Sequence, residues 1–242
     1  MVSLQPASGG QATKVKANVR AKIRVIAFDF YGTLVDLTAI ARACTDITPN
    51  GDAFSATWRA KQLEYTFWLS LINRYTDFDR VTETALNFTL QHYGVRIDAV
   101  QREALISEWA RPVAYPEVPL AVSKLAAKYD LVVLSNGTAR SLADGLAHLG
   151  LGGYFRRVLS VDAVRVYKPA PPVYQLVLEQ CQVTRAEVLF VSSNSFDVIG
   201  AVSFGFEVCR VNRSQLPLDP LGIEPGLSVA DLAELTRVLD VA

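Results

Sequence analysis

Four polar groups punctuate this chain, three of them directly after apolar runs. Val25-Ile26-Ala27-Phe28 leads into Asp29, with Gly32-Thr33 close behind. Leu131-Val132-Val133-Leu134 leads into Ser135-Asn136-Gly137, and Val188-Leu189-Phe190-Val191 into Ser192-Ser193-Asn194, with Asp197 three residues further on. Between the last two clusters, Lys168 precedes Pro169. If the apolar runs are parallel strands, their C-terminal ends share one sheet edge, where open α/β folds bind ligands. Two carboxylates, an ammonium and several hydroxyls gathered there permit covalent chemistry, in which a carboxylate attacks an electrophile and leaves an ester or an acyl-phosphate. Each residue alone has a plainer reading. Asp29 and Ser135-Asn136-Gly137 suit turns, Thr33 and Asp197 suit helix caps, and Lys168 suits a solvated surface. Their co-occurrence, in order at successive strand ends, favours the chemical reading.

The elements between these groups supply the frame. From Pro116 onward, apolar strands at 131–135, 158–161, 188–191 and 208–211 alternate with helical patterns at 120–129, 139–149, 171–180, 196–204 and 229–239. That rhythm implies an α/β fold, a Rossmann-like doubly wound parallel sheet with right-handed crossovers. Between the first strand and this repeat the pattern is helical, with no strand-like alternation. A long aromatic helix is expected over 52–75. A second, over 80–93, has Asp79 as its cap and Gly94 as its stop; a third begins at Asp98 and ends near Pro112. The organisation expected is a core formed by residues 23–36 and 116–242, a helical cap inserted at 37–115, and a disordered tail at 1–22. That tail is basic and lacks the continuous apolar core of a secretory signal.

The totals narrow the function classes. The 242 residues are half hydrophobic, enough for a sizeable core. Basic and acidic residues balance at 24 each, giving no charge excess for nucleic acid or an anionic membrane. No run approaches a bilayer span. The three cysteines, Cys44, Cys181 and Cys209, form no CxxC pair, and His92 and His148 lie far apart. No metal site or disulfide framework is expected, Cys181 and Cys209 read as small buried hydrophobes, and a reducing cytoplasm fits.

Several strings together resemble one family. They are Phe28-Asp29-Phe30-Tyr31-Gly32-Thr33-Leu34, Trp58 to Thr66, Leu134 to Gly137, Ser160-Val161-Asp162, Val166 to Pro169 and Phe190 to Asn194. They are similar to the type II, L-2-haloacid dehalogenases of the haloacid dehalogenase superfamily, from about Ile23 to Arg213. The resemblance implies that Asp29 attacks the chiral carbon, expels halide with inversion and forms an ester. Water then releases a D-2-hydroxy acid. It implies that Asp197 activates the water with Lys168 and Asn194, and that Thr33 and Ser192 orient the carboxylates. Lys168 would also keep Asp29 ionised. Ser135 and amides near Tyr31 would bind the substrate carboxylate, and Arg59, Asn136 and Phe196 would cradle the halide. Leu63 and Phe78 would wall the alkyl group, and Tyr174 would be a further site tyrosine. No cofactor is implied, and a homodimer is.

Two features separate this pattern from the superfamily's phosphatases. Those enzymes carry an acid two residues after the nucleophile to protonate a departing alkoxide, whereas Tyr31 stands there. They also hold Mg²⁺ with several carboxylates, whereas Ser193 and Asn194 are neutral. Halide leaves without a proton, and two carboxylates balanced by Lys168 and Arg59 make a near-neutral site for a small monoanion. The alternatives are a Mg²⁺-dependent phosphatase of a small phosphorylated metabolite and a non-catalytic binding protein on the same fold. Arg59 and Leu63, four residues apart, share one helix face, though a surface arginine fits the pattern alone. Ala60, where some relatives carry Gln, is expected to widen the pocket; Phe196 stands where many carry Trp.

Overall fold

The computed structural model describes residues 21–241. The tail expected over 1–22 lies, except for Ala21 and Lys22, outside the described residues. From β1 (Val25–Phe28) the chain passes through a two-residue strand β2 (Val35–Asp36) into helices α1 (Thr38–Thr45), α2 (Gly51–Leu71), α3 (Phe78–Tyr93) and α4 (Ala99–Ala110). It returns by β3 (Val113–Ala114), which pairs antiparallel with β2. The βα repeat follows as α5 (Val118–Ala126), β4 (Asp130–Ser135), α6 (Ala139–His148), β5 (Phe155–Ser160), α7 (Pro171–Cys181), β6 (Val188–Ser192), α8 (Ser195–Phe204), β7 (Glu207–Val211), β8 (Leu227–Val229) and α9 (Leu232–Val238).

The six long strands form one parallel sheet in the order β5-β4-β1-β6-β7-β8. β1 sits between β4 and β6 with Phe28 level with Val133 and Val191. It is buried along its whole length, as a strand covered on both faces must be. That register brings the chain beyond Phe28, Ser135 and Ser192 out on one edge. The order reverses direction on either side of β1, so Asp29 emerges at the topological switch point. The α2–α3–α4 helices are interposed between β1 and the rest of the sheet in sequence.

The helical stretch differs from the sequence expectation in two places, and the C-terminal stretch in a third. Asp77, not Asp79, caps α3, accepting from Arg80 N at 3.0 Å. Asp79 lies in the first turn, and its carboxylate instead accepts from Ser141 and Thr138 at the start of α6. The third helix ends before Pro112, as expected, but the short strand β3 follows it; two residues are too few to show alternation. At the far end, 229–239 divides into β8 and α9, with Asp231 as the cap. Asp98 caps α4 in a full capping box, as expected. Thr33 caps no helix. Cys44 and Cys209 are buried and Cys181 is half-buried; all three are free thiols.

Candidate active site

Asp29 is held by its own backbone and by four side chains. Its N–H donates to Val191 O at 2.9 Å, which ties β1 to β6 where both strands end. The chain then folds into a tight loop, with Leu34 N donating to Phe30 O and Gly32 N to Val35 O. Gly32 has φ +82°, a conformation glycine adopts without strain, and a Cβ there would stand 3.4 Å from Ser193 Oγ. The loop aims Thr33 back at the strand end. Asp29 Oδ2 accepts from Thr33 Oγ1 at 3.0 Å, from Asn194 Nδ2 at 2.7 Å and from Ser192 Oγ at 3.4 Å. Asp29 Oδ1 takes one donor among the described residues, the Lys168 ammonium at 3.0 Å. One carboxylate oxygen is thus clamped, and the other keeps an open lone pair.

Lys168 also donates to Asp197 Oδ2 at 2.8 Å. It is 1% exposed between carboxylates that are 5% and 0% exposed. Burial alone would lower the lysine's pKa, and the two carboxylates more than offset it, so the ammonium form is held above its ordinary range. Burial raises the Asp197 carboxyl to about 6; Asp29 pushes the same way, and Lys168 and Tyr174 push back. Tyr174 donates to Asp197 Oδ1 at 2.9 Å. The approach of α8 to α7 that permits this bond depends on Gly200. A Cβ there would stand 2.5 Å from Pro169 Cβ and would also collide with the Tyr174 hydroxyl.

The opposite wall comes from the helices. Arg59 points in from α2, with Nη1 on Gln62 Oε1 at 2.5 Å and its guanidinium 5.7 Å from the Trp109 ring. Gln62 is buried and donates to Thr82 Oγ1, which donates to Phe78 O. Burial pulls the Arg59 guanidinium down to about 10, partly opposed by Asp29, and it remains a cation at neutral pH. Formal charges across the site therefore cancel: Asp29 and Asp197 against Lys168 and Arg59. Tyr31 stacks on Phe78, and burial pushes its phenol well above the usual range, leaving it a poor proton donor.

Ten residues line a nearly closed cavity of about 10 Å³: Asp29, Lys168 and Asn194 at the sheet edge, Ser135 and Asn136 after β4, Arg59, Leu63 and Phe78 from the helices, and Tyr31 and Phe196. That space is at the lower limit for one water. The strand-end pattern and the family resemblance together single out all ten. Thr33, Ser192, Asp197 and Tyr174 stand behind them. Tyr174, expected as a further site tyrosine, is fully buried, bonds Asp197 and does not line the cavity. Ala60 is exposed and does not line this cavity.

Other participants carry weaker marks in the sequence. Gln62 has a signal, lying one turn after Arg59 on the same face; Thr82 and Trp109 have none. Arg213 donates to Thr33 O at 3.0 Å and to Glu117 Oε1 at 2.7 Å, and lies over the Tyr115 ring, pinning the loop after Asp29. Ser193 N donates to Thr33 Oγ1 at 2.9 Å. Among the described residues no group of three or more His, Cys, Asp or Glu is placed to hold a metal ion, and no helix is long and apolar enough to cross a membrane.

Comparison with known proteins points the same way. Residues 23–205 match the family model for haloacid dehalogenase-like hydrolases. The chain is 40% identical over 222 residues to an (S)-2-haloacid dehalogenase of Pseudomonas sp. (strain YL), spanning 91% of this chain and 96% of that one. It is 39% identical over 216 residues to (S)-2-haloacid dehalogenase H-109 of Pseudomonas putida, spanning 88% and 96%. Among solved structures, it superposes with a TM-score of 0.83 on L-2-haloacid dehalogenase from Xanthobacter autotrophicus with chloropropionic acid covalently bound, at 38% identity over 90% of this chain and 98% of that one.

Proposed function

The chain belongs to the haloacid dehalogenase-like hydrolases, and on that premise we propose that it hydrolyses the carbon–halide bond of L-2-haloalkanoic acids to give D-2-hydroxy acids and halide. The observation that carries this reading is the clamped Asp29, one oxygen fixed by three donors and the other turned free beside Lys168. A carboxylate held so is oriented for in-line attack before substrate arrives.

Asp29 Oδ1 forms a bond to C2 as the carbon–halogen bond breaks, and the halide leaves with the electron pair. Inversion follows from attack opposite the leaving group. Arg59, Asn136 and Phe196 receive the halide. Ser135 and the amides near Tyr31 take the substrate carboxylate, and Leu63 and Phe78 face the alkyl group. Water then attacks the aspartyl carbonyl and the acyl carbon–oxygen bond breaks. The product hydroxyl therefore carries the Asp29 oxygen. Asp197 accepts the water's proton, which passes to the departing alkoxide; a carboxyl with a pKa near 6 suits a base at neutral pH. Asp197 does not line the closed cavity, so water meets it only after the helical side has shifted. Residues 37–115 act as the cap in this cycle. The covalently bound chloropropionic acid in the Xanthobacter relative supports a covalent intermediate.

The donor set does not suit Mg²⁺. A hard cation wants several anionic oxygens, but the Lys168 ammonium already bridges the two carboxylates, the Asn194 amide nitrogen faces Asp29, and the phenol of Tyr31 stands where a second aspartate would. We therefore propose metal-independent turnover, in a cytoplasmic homodimer. The test is halide release from L- and D-2-chloropropionate with and without EDTA. Release from the L enantiomer alone, insensitive to EDTA and reduced about 10⁴-fold or more in Asp29→Asn, supports the reading. Dependence on added Mg²⁺, or equal release by Asp29→Asn, overturns it.

A further inference from the structure

A second cavity, of about 620 Å³, adjoins the sealed one. Its walls are apolar: Phe67 and Leu71 from α2, Ile199 from α8, and Pro220 and Leu221 from the loop before β8. Lys168 and Phe196 line both cavities. At their junction, beside Lys168, the Phe67 and Phe196 rings meet edge to face with centroids 5.5 Å apart. Phe67 is absent from the sealed cavity's wall and faces the chamber. Leu71 and Leu221 are largely exposed, so the chamber opens to solvent at its outer end.

As it stands the small cavity barely holds one water, so a bound 2-haloacid needs a shift of the helical side, and a long substituent also needs volume from a neighbour. The chamber falls within the size range of ligand sites and is lined as an alkyl chain requires. Phe67 is carried by the helix that also bears Arg59, and Lys168 lies beside it at the junction.

We propose that the chamber is the subsite for the alkyl chain of 2-haloacids longer than chloropropionate, and that Phe67 is the residue that sets chain-length specificity. The proposal rests on the dehalogenase reading above and names the substrate class within it. Carbons beyond C3 pass between the Phe67 and Phe196 rings into the chamber, with the chain end toward Leu71 and Leu221. The carboxylate and halogen keep the same partners whatever the length.

The experiment is the ratio of kcat/KM for L-2-chlorohexanoate to that for L-2-chloropropionate, measured by halide release in the parent protein, Phe67→Ala and Leu221→Trp. Each buried methylene is worth about fourfold, so Phe67→Ala is expected to raise the ratio about tenfold or more. Leu221→Trp, on an exposed loop where folding is not at stake, is expected to lower it by filling the chamber. Ratios within twofold of the parent in both variants overturn the assignment while leaving the dehalogenase reading intact. A parent protein that releases halide from neither substrate removes that reading, and the subsite with it.

Discussion

The two walls of the sealed cavity are built to different standards. On the sheet side, Asp29, Lys168 and Asp197 are almost wholly buried and joined by bonds of 2.8–3.0 Å, and Tyr174, Thr33, Ser192 and Arg213 brace them from behind. On the helical side, Arg59 and Leu63 are half-buried beside a buried Phe78, and one short relay through Gln62 and Thr82 holds the guanidinium. Side-chain bonds tie the helices to the sheet domain at scattered points: Asp79 on Ser141, Tyr75 on Asp162, and Tyr167 N on Ser70 Oγ. The sheet wall is a reagent fixed in advance, where preorganised charge does the most for catalysis. The helical wall is a selector, tied to the sheet domain by side-chain bonds and ring contacts rather than by strand pairing.

The sharpest way to break this comparison is to stop the sheet wall half-way through its cycle. Asp197 must be ionised to take a proton from water, and its pKa is about 6. Turnover should therefore fall about tenfold per unit on the acid side, with the limb below that value because the esterified Asp29 no longer carries the charge that raises it. Asp197→Asn should lose about 10²–10⁴-fold in turnover yet still release one equivalent of halide per site, because the first displacement needs no base. Rapid-quench halide assay checks both. Loss of the first equivalent would mean that Asp197 serves the alkylation step instead.

A smaller effect separates positioning from chemistry. Gly200→Ala pushes against Tyr174 and Pro169; overpacking of that kind costs about 1–3 kcal/mol, visible as a lower melting temperature. The Tyr174 bond lowers the Asp197 pKa, so weakening it should move the acid limb of the pH profile upward. An unshifted limb would show that Tyr174 only fills space. Phe67→Ala, on the helical wall, should leave the limb where it is and alter substrate preference alone.

Much of this layout is legible in the amino-acid sequence, for a specific reason. In a parallel sheet the apolar runs announce the strands, and each polar residue just after a run must surface on the same edge; Asp29, Ser135 and Ser192 need no more than that. The burial of Lys168 is not readable from spacing, since a lysine before a proline suits a loop equally well; the family pattern supplies it. Tyr174 is recognisable from its string but not placeable, because sequence gives its helix and not the depth to which Gly200 lets that helix sink. Asp79 reads as a cap because two aspartates, Asp77 and Asp79, flank the helix start, and only the backbone geometry at Asp77 distinguishes them. Thr82 and Trp109 act through contacts 20 or more residues away in sequence, and no local pattern marks them.

The central claim is that Asp29 itself bonds to the substrate carbon. A single turnover of L-2-chloropropionate in H₂¹⁸O, with enzyme in excess, tests it directly by mass spectrometry of the peptide containing Asp29 and of the released hydroxy acid. One ¹⁸O atom in the Asp29 peptide and none in the product is the result expected. Label in the 2-hydroxyl of the product, with Asp29 unlabelled, would show that water attacks the substrate itself and would contradict the account.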